Sequence, residues 1–202
     1  RNVVSNERFN PDGTLTSEFD LVMDRVCSNG RTVLLKNSDL SARSDSSKYI
    51  DAEVFHNMTD LLDEYRDYWD KCAAFVIEKQ MNFGKHRNNT LATKLGQHCW
   101  SYFACSYGRF KEIVEFPAYH KTRVLGANKH KTTRNGKIKY KNVDKKTRKA
   151  WCTAKALDII TARGDQEAIK VMQAAKKKDD IGDVICQLQA FKYLVYVDES
   201  LT

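Results

Sequence analysis

The sequence has only two prolines among 202 residues, and it has no apolar run long enough to cross a bilayer. A membrane helix needs about 20 consecutive apolar residues, so no membrane span is expected. The scarcity of proline argues against linkers between domains. The polar first segment, RNVVSNERFNPDGTLTSEF, lacks the apolar stretch of a signal peptide. These absences predict one soluble, intracellular domain that covers residues 1–202.

The chain also lacks the motifs of several common enzyme classes. No GxxxxGK[ST] sequence is present to hold a nucleotide phosphate, and no GxSxG sequence marks a hydrolase serine. The histidines have no metal-ligand spacing, and His98 lies on a helical stripe where a histidine satisfied within a core or an interface is expected. The six cysteines form no CxxC pair, which indicates reduced, mostly buried thiols and neither a disulfide framework nor a zinc site. They are Cys27, Cys72, Cys99, Cys105, Cys152 and Cys186.

Positive charge is concentrated in one segment. The whole chain carries a formal charge of +8, but residues 120–150 contain twelve lysines and arginines against a single acid, Asp144. This segment therefore carries +11, and the remainder of the chain carries −3. A basic segment on a nearly neutral chain indicates a polyanionic partner, with nucleic acid as the first candidate. The other interpretation is a solvated loop whose charge only aids solubility. The cations are Lys121, Arg123, Lys129, Lys131, Arg134, Lys137, Lys139, Lys141, Lys145, Lys146, Arg148 and Lys149.

Hydrophobic patterning in the first half of the chain mixes strands with a helix. Residues 18–37 contain two partly alternating apolar runs joined by SNG, which predicts a β-hairpin. Apolar residues then recur at steps of three and four from 51 to 70, which predicts an amphipathic helix. The short apolar run CAAFVIE, residues 72–78, predicts a buried strand.

The second half of the chain continues this alternation. A helical stripe runs from Leu91 to Phe103 and stops at Gly108, EIVEF predicts a further strand, and residues 120–150 are expected to form a basic loop. Two helices follow, in DKKTRKAWCTAKALDIITA and DDIGDVICQLQAFKYLVYV. This order of elements predicts an α/β fold with a central sheet flanked by helices.

Three carboxylates occupy positions that favour chemistry. Glu78 stands where the first buried strand ends, and functional groups collect at the carboxyl ends of strands in open α/β sheets. Asp180 and Asp183 begin the last helix and share one of its faces with Gln187. These residues also have purely structural interpretations. Glu78 can be a glutamate at the point where the chain leaves the core, and the two aspartates can cap the helix. The neighbouring apolar face is expected to contain Ile181, Val184, Ile185, Leu188 and Val195.

Taken together, these acids predict a site for hard cations. Mg²⁺ prefers oxygen ligands and is usually held by a few carboxylates plus substrate phosphate. Two such ions, about 4 Å apart, activate a water and stabilise the departing oxygen of a phosphodiester. Beside a segment that can hold a phosphate backbone, this chemistry indicates a nuclease that uses two Mg²⁺ or Mn²⁺ ions.

The motifs around these acids resemble those of a known family. VIEKQ and, much later in the chain, KKDDIGD are similar to two motifs of the poxvirus-type and RuvC-like Holliday junction resolvases, which belong to the ribonuclease H-like superfamily. These motifs are a strand ending in I/V-E-x-Q and a last helix opening with D-x-x-D. The resemblance covers residues 72–197. It implies that Glu78, Asp180 and Asp183 bind the metal ions, that Gln80 contacts substrate, and that Asp179 caps the helix or supports the ligands.

Two further segments resemble parts of this family that contact DNA. YHKTRVLG is similar to the segment after the fifth strand, which implies that Lys121 approaches the substrate. KKTRKAWCTAKAL is similar to the basic helix start that follows, which implies phosphate contacts for Arg148 and Lys149. The loop 128–146 is expected to bind the junction arms.

The front of the chain departs from the family. The family begins with a strand ending in D-x-G, whose aspartate is the first metal ligand, and no such strand precedes the predicted helix 51–70. RN at the start resembles the residues that follow this motif. We therefore expect a fragment that begins just after its first strand and is inactive without the upstream aspartate. Asp20 and Asp24 are the only internal substitutes, and we expect both on one face of the second strand.

The resemblance implies a ribonuclease H-like domain that cuts Holliday junctions or other branched DNA. A homodimer is expected because two symmetric nicks need two sites, with the helix 90–107 as a candidate dimer surface. A viral protein of this kind would act where viral DNA is replicated in the host cell. Two alternatives remain open. One is another ribonuclease H-like nuclease, such as a transposase core or an RNA–DNA hybrid nuclease, and the other is a nucleic-acid-binding module without catalysis.

Overall fold

The computed structural model describes residues 10–12, 14–40, 52–80, 90–127, 129–134 and 137–196. It is a mixed α/β protein, rich in helix and with small sheets. The helices are α1 (Ser17–Ser28), α2 (Glu53–Glu64), α3 (Arg66–Trp69), α4 (Thr90–Tyr107), α5 (Tyr119–Val124), α6 (Lys145–Ala162), α7 (Gln166–Ala174) and α8 (Lys178–Tyr196). The strands are β1 (Ala74–Lys79), β2 (Glu112–Pro117), β3 (Lys129–Arg134) and β4 (Lys137–Asn142). None of these helices is long and apolar enough to cross a membrane.

The chain divides into two compact units. The first unit is formed from Arg1–Asn37 and Tyr119–Thr202, and the second is formed from Ser38–Ala118. The first unit contains α1, α5 to α8 and the antiparallel pair β3–β4, while the second contains α2 to α4 and the parallel pair β1–β2. The single nuclease domain expected over residues 1–202 stays a prediction.

The second unit is built around an aromatic core between its helices and its sheet. β1 and β2 pair in parallel, with Glu78 opposite Phe116, so the carboxyl ends of both strands meet at one edge. Phe103 of α4 stacks on Phe75 of β1 with 3.8 Å between ring centroids. Leu62 of α2 completes this buried cluster, which fixes β1 and the end of the strand that carries Glu78.

The elements predicted for the second unit are confirmed. The helical pattern over 51–70 forms α2 and α3, which are separated at Tyr65, and the runs 72–78 and EIVEF form β1 and β2. The helical stripe from Leu91 forms α4. Gly108 follows this helix with a φ of +56°, a left-handed conformation that glycine adopts readily at a helix end.

The core of the first unit is the contact between α6 and α8, and both helices confirm the sequence prediction. Ile159 and Ile160 of α6 and Ile181 of α8 are buried. Gly182 allows the two helices to approach closely, because a Cβ at this position would lie 3.1 Å from the carbonyl oxygen of Cys152.

The β-hairpin predicted over residues 18–37 is wrong. Residues 17–28 form α1, and residues 29–40 contain no strand. Phe19, Met23 and Cys27 are buried at intervals of four residues, which is a helical period. The apparent strand alternation arose from Leu21 and Val22, which are exposed on the helix.

Asp20 and Asp24 consequently lie one turn apart on a helix, and the prediction that placed them on a strand is wrong. Both side chains are exposed. The far end of α1 is held by two side chains of the same unit: Arg163 Nε donates to the carbonyl oxygen of Cys27 at 2.7 Å, and Gln189 Nε2 donates to that of Val26 at 2.9 Å.

The prediction that residues 120–150 form a loop is also wrong. This segment contains α5, an antiparallel ribbon of β3 and β4, and the start of α6. The register of the ribbon pairs Lys129 with Asn142 and Arg134 with Lys137. Hydrophobic periodicity does not detect such strands because nearly all of their residues are polar. The short helix α7 was not predicted either, although it buries Ala168 and Met172.

Candidate functional site

Three aspartates lie within the first two turns of α8. They are Asp179, Asp180 and Asp183. Acidic side chains are favoured here because the helix dipole places partial positive charge at its N-terminus. Asp180 is exposed, whereas the side chains of Asp179 and Asp183 retain 26% and 28% of their exposure. The helix start predicted for these acids is confirmed.

Lys121 forms an ion pair with one of these aspartates. Its Nζ lies 2.7 Å from Oδ2 of Asp183. Lys121 belongs to α5, which packs against α8, and the residue is only 8% exposed. A buried ammonium group is costly without charge compensation, so this pair helps to hold α5 on α8. Lys121, which was expected to approach the substrate, therefore forms an ion pair with Asp183, a predicted metal ligand.

Lys149 of α6 forms the second ion pair, with Asp179. This hydrogen bond raises the pKa of Lys149, and the charges of Asp180 and Asp183 act in the same direction. The same bond lowers the pKa of Asp179. Together with Lys121, these residues are called the Asp–Lys cluster below. Of the three carboxylates, Asp179 and Asp183 form ion pairs with these lysines, and Lys177 also acts electrostatically on Asp179.

Two thiols lie beside the cluster, and their proximity to it was not predicted from the sequence. Cys152 and Cys186 are buried, and Cys186 Sγ lies 3.4 Å from the carbonyl oxygen of Cys152. The neighbouring sulfur of Cys152 and burial both raise the pKa of Cys186. Asp183 and Lys121 interact electrostatically with both thiols. Helical spacing could have predicted this proximity for Cys186, because it lies three residues after Asp183 on α8.

Glu78 and Gln80 belong to the second unit. Glu78 lies one residue before the end of β1 and is half-buried, and Gln80 follows that strand and is also half-buried. The predicted position of Glu78 at a strand end is therefore confirmed. Asp180 and Asp183 belong to the first unit. Within each unit, the described residues contain no group of three or more His, Cys, Asp or Glu side chains that can hold a metal ion.

The predicted nucleic-acid-binding residues lie on α5, on the ribbon and at the start of α6. Arg123, Lys141, Lys145, Lys146 and Lys149 are exposed, and Lys129 and Arg148 are half-buried. The side chains of Lys131, Arg134, Lys137 and Lys139 lie outside what the structure describes. The single acid of the segment, Asp144, caps α6 by accepting hydrogen bonds from the backbone of Lys146 and Thr147 at 2.9 and 3.1 Å. Its carboxylate is therefore engaged with the helix start.

The buried face of α8 differs in part from the prediction. Ile181 and Ile185 are buried as expected, but Val184 and Leu188 are each 56% exposed. Gln187 shares a helical face with Asp180 and Asp183, as predicted, and is only 5% exposed. Hydrophobicity alone misplaced this face because the helix buries polar as well as apolar side chains. Gln189 is a second example, since its amide is used to hold α1.

The histidine and cysteine predictions are tested in the described residues. Thr59 Oγ1 and His98 Nε2 lie 2.9 Å apart, so His98 is satisfied within the second unit, as predicted. All six cysteines are free thiols, of which Cys105 is exposed and the others are buried or half-buried. Burial raises the pKa of Cys99 to about 11, which keeps this thiol protonated at neutral pH.

Comparison with known proteins finds relatives among the iridescent viruses. The protein named uncharacterized protein 170L of Invertebrate iridescent virus 6 is 35% identical over 87% of this chain and 78% of its own length. Uncharacterized protein 97L of Invertebrate iridescent virus 3 is 30% identical over 85% of this chain and 75% of its own length. No family model matches the chain. No solved structure matches it either.

Proposed function

We propose that this chain, which belongs to the family of iridescent-virus proteins that includes 170L and 97L, is a metal-dependent endonuclease that cuts Holliday junctions or other branched DNA. The observation that carries the proposal is the Asp–Lys cluster, where the carboxylate oxygens of three aspartates adjoin the most basic segment of the chain. Lys149 links the two features, because it contacts Asp179 and lies on the helix into which the basic segment runs.

The donor atoms of the cluster suit a hard cation. Carboxylate oxygens are the ligands preferred by Mg²⁺ and Mn²⁺, and Asp180 is exposed and belongs to neither ion pair of the cluster. Asp180 and Asp183 of this cluster, with Glu78 by resemblance to the resolvases, would hold two such ions. When bound, these ions supply an activated water and a stabilised leaving oxygen for phosphodiester cleavage. A ribonuclease H-like arrangement of the whole chain is part of the same proposal.

The lysines of the cluster position its carboxylates. Lys121 fixes Asp183 from a buried site, and Lys149 fixes Asp179, so that the start of α8 is held by α5 on one side and by α6 on the other. Asp179, in its ion pair, supports the site without being a ligand. A phosphate that approaches the start of α6 would meet Arg148 and Lys149, and cations on one face of the ribbon would contact the DNA arms.

Two partners follow from the proposal. One is branched DNA at the place where viral DNA is replicated in the host cell, and the other is a second copy of the chain, since two symmetric nicks need two sites. The competing functions are a different ribonuclease H-like nuclease and a binding module without catalysis. The exposed positive charge of the first unit is equally compatible with the binding module, so cleavage is the deciding property.

The experiment compares three substrates with one protein. Protein expressed from its complete reading frame is incubated with Mg²⁺ and end-labelled four-way junction, RNA–DNA hybrid or linear duplex. We expect symmetric nicks in the junction and at least about 100-fold slower cleavage of the other two, since a specific substrate is distinguished by several kcal/mol of differential binding. Faster cleavage of the hybrid identifies the other nuclease class, and binding without any cleavage identifies the binding module.

The role of Glu78 has its own matched control. Glu78→Gln removes the charge at the end of β1, whereas Glu115→Gln removes an exposed charge from the paired strand β2. We expect the first variant to lose junction cleavage and the second to retain it. Equal activity of both variants excludes Glu78 from the ligand set and leaves the nuclease proposal to the aspartates of α8.

A further inference from the structure

The ribbon of β3 and β4 is a separate two-stranded sheet of the first unit. The chain enters it from the buried residue Ala127 and leaves it through the buried residue Val143. Both of its ends are therefore anchored in the first unit. Within the described residues, β3 pairs only with β4, and a two-stranded ribbon has little stability of its own in water.

The register divides the residues of the ribbon between two faces. Successive residues of a strand lie on opposite faces, and residues opposite each other in an antiparallel pair share a face. One face, called the basic face, contains four lysines or arginines. Its positions are His130, Thr132, Arg134, Lys137, Lys139 and Lys141. The other face contains two lysines and both apolar residues of the ribbon. Its positions are Lys129, Lys131, Thr133, Ile138, Tyr140 and Asn142.

The pairing on the basic face works against the ribbon itself. Arg134 lies opposite Lys137 at the end of the ribbon. Like charges directly opposite each other destabilise an antiparallel pair. No acid occurs in either strand to offset this repulsion. A bound polyanion would offset it, and would stabilise the ribbon in the same step.

We propose that the basic face binds the sugar–phosphate backbone of duplex DNA. This inference rests on the proposed function and assigns the contact to one face of one element. Lys137, Lys139 and Lys141 follow one another at steps of about 7 Å along β4, which span about 14 Å. One strand of a duplex carries about four phosphates over that length. A two-stranded ribbon is also narrow enough to enter the major groove.

The composition of the faces favours duplex over single-stranded DNA. Surfaces that bind single strands combine positive charge with aromatic side chains on which the bases stack. Tyr140 is the only aromatic residue of the ribbon, and its register position is on the other face. The basic face therefore offers charge and hydrogen-bond donors without a stacking platform.

The test compares two double variants of the ribbon, each of which removes two positive charges. Lys139→Gln with Lys141→Gln removes two charges from the basic face, and Lys129→Gln with Lys131→Gln removes two charges from the other face. The affinity of each protein for a fluorescent linear duplex is measured by anisotropy from 50 to 300 mM salt in EDTA. The melting temperature of each variant is measured in parallel.

The slope of log affinity against log salt is negative, and we expect it to be less steep by about 1.8 in the basic-face variant. This change corresponds to an affinity about 60-fold weaker at 0.1 M salt. The other variant should stay within about threefold of the unchanged protein, since its lysines do not contact phosphate. Lys139→Arg with Lys141→Arg should bind as the unchanged protein does, which separates lost charge from lost folding. Equal losses in both Gln variants, no loss in either, or tighter binding of a single strand than of the duplex overturns the proposal.

These measurements are independent of the proposed nuclease activity. Binding in EDTA requires no cleavage, so a protein that binds through the basic face but never cuts DNA refutes the nuclease and retains the ribbon contact. Conversely, a protein that cuts junctions while both Gln variants bind duplex normally retains the nuclease and refutes the ribbon contact.

Discussion

Gly182 lies one residue before Asp183, and the absence of a side chain there sets the distance between α8 and α6. A Cβ at this position would lie 3.1 Å from both the carbonyl oxygen of Cys152 and the Cα of Thr153. These neighbours are backbone atoms of a packed helix, which yield only if the whole helix shifts. The start of α8, with its three aspartates, depends on this contact for its place beside Lys149.

Gly182→Ala should therefore destabilise the first unit. Overpacking costs about 1–3 kcal/mol, against a gain of at most about 1 kcal/mol from the higher helix propensity of alanine. Gly96→Ala is the matched control, because Gly96 also lies within a helix but, among the described residues, a Cβ there meets only Gln80 Cγ, at 4.0 Å. In thermal unfolding we expect a lower melting temperature for Gly182→Ala and an unchanged or higher one for Gly96→Ala. The reverse order contradicts the close approach of α8 to α6.

The ion pair between Lys149 and Asp179 should appear in the pH dependence of stability. The pKa of Asp179 is lowered in the folded protein, so its contribution is present above the ordinary aspartate pKa and is lost as pH falls through the lowered value. The pKa of Lys149 is raised, so its contribution is lost only as pH rises above the lysine range.

Asp179→Asn should accordingly lower the melting temperature near neutral pH, with a difference that shrinks as the pH approaches 2. The effect is small because both side chains are partly exposed and screened by solvent, and it should decrease further in 1 M salt. Paired thermal unfolding curves from pH 2 to 7 measure it. A difference that is constant over this range, or that grows on acidification, contradicts the ion pair.

At the scale of elements, α1 is docked through its last carbonyl groups. Arg163 Nε donates to the carbonyl oxygen of Cys27, Gln189 Nε2 donates to that of Val26, and Lys192 donates to that of Asn29. Arg163 also donates to the amide oxygen of Gln189 at 2.5 Å. Cations at a helix C-terminus are favourable because the dipole is negative there. Three residues of α8 and of the turn after α6 thus close the end of α1.

Arg163→Ala should loosen α1 selectively. It leaves the Cys27 carbonyl and the Gln189 amide without their shared partner, and unsatisfied buried groups cost about 1–3 kcal/mol. We expect faster amide hydrogen exchange in residues 17–28, with exchange in α4 unchanged. Arg25→Ala, on the exposed side of α1, is the control and should leave exchange as it is. Uniform acceleration throughout the first unit contradicts a local docking role.

Sequence patterns predicted the elements that bury a regular apolar stripe. α2, α4, β1, β2, α6 and α8 belong to this class, and their predicted order is correct. α1 was mistaken for a hairpin because Leu21 and Val22 are apolar but exposed, which hid the helical spacing of the buried residues. The ribbon was hidden for the opposite reason, since its strands contain almost no apolar residues.

The candidate site was predictable where it depends on local spacing and unpredictable where it depends on packing. Asp180 and Asp183 could be placed on the start of a helix from sequence alone. The partnership of Lys121 with Asp183 depends on how α5 packs on α8, which no local pattern contains. The burial of Gln187 has the same origin, because tertiary contacts and not its own hydrophobicity determine its exposure.

At the scale of the whole molecule, a homodimer formed through α4 is a prediction of the proposed nuclease function. Trp100 is a large hydrophobic residue of this helix that is more than a third exposed, at 37%. Aromatic side chains are enriched in interfaces between protein chains. Trp100 belongs to the second unit.

Trp100→Glu should convert the dimer into a monomer. A charge buried in an interface without a partner costs several kcal/mol, which exceeds the stability of a modest dimer. Light scattering after size exclusion should give twice the chain mass for the unchanged protein and once the chain mass for the variant. Leu21→Glu, on the exposed side of α1, should remain dimeric. A monomeric unchanged protein, or a dimeric Trp100→Glu, contradicts the assignment.

The central claim is that the aspartates of α8 cut DNA with a divalent metal. Its most direct measurement is the single-turnover rate of four-way junction cleavage in Mg²⁺ by protein from the complete reading frame, beside Asp183→Asn and the control Asp158→Asn. Asp158 is an exposed acid of α6. The account predicts Mg²⁺-dependent cleavage that Asp158→Asn retains and Asp183→Asn loses by at least about 100-fold. Cleavage by Asp183→Asn at the unchanged rate, or no Mg²⁺-dependent cleavage by any of the three proteins, would contradict it.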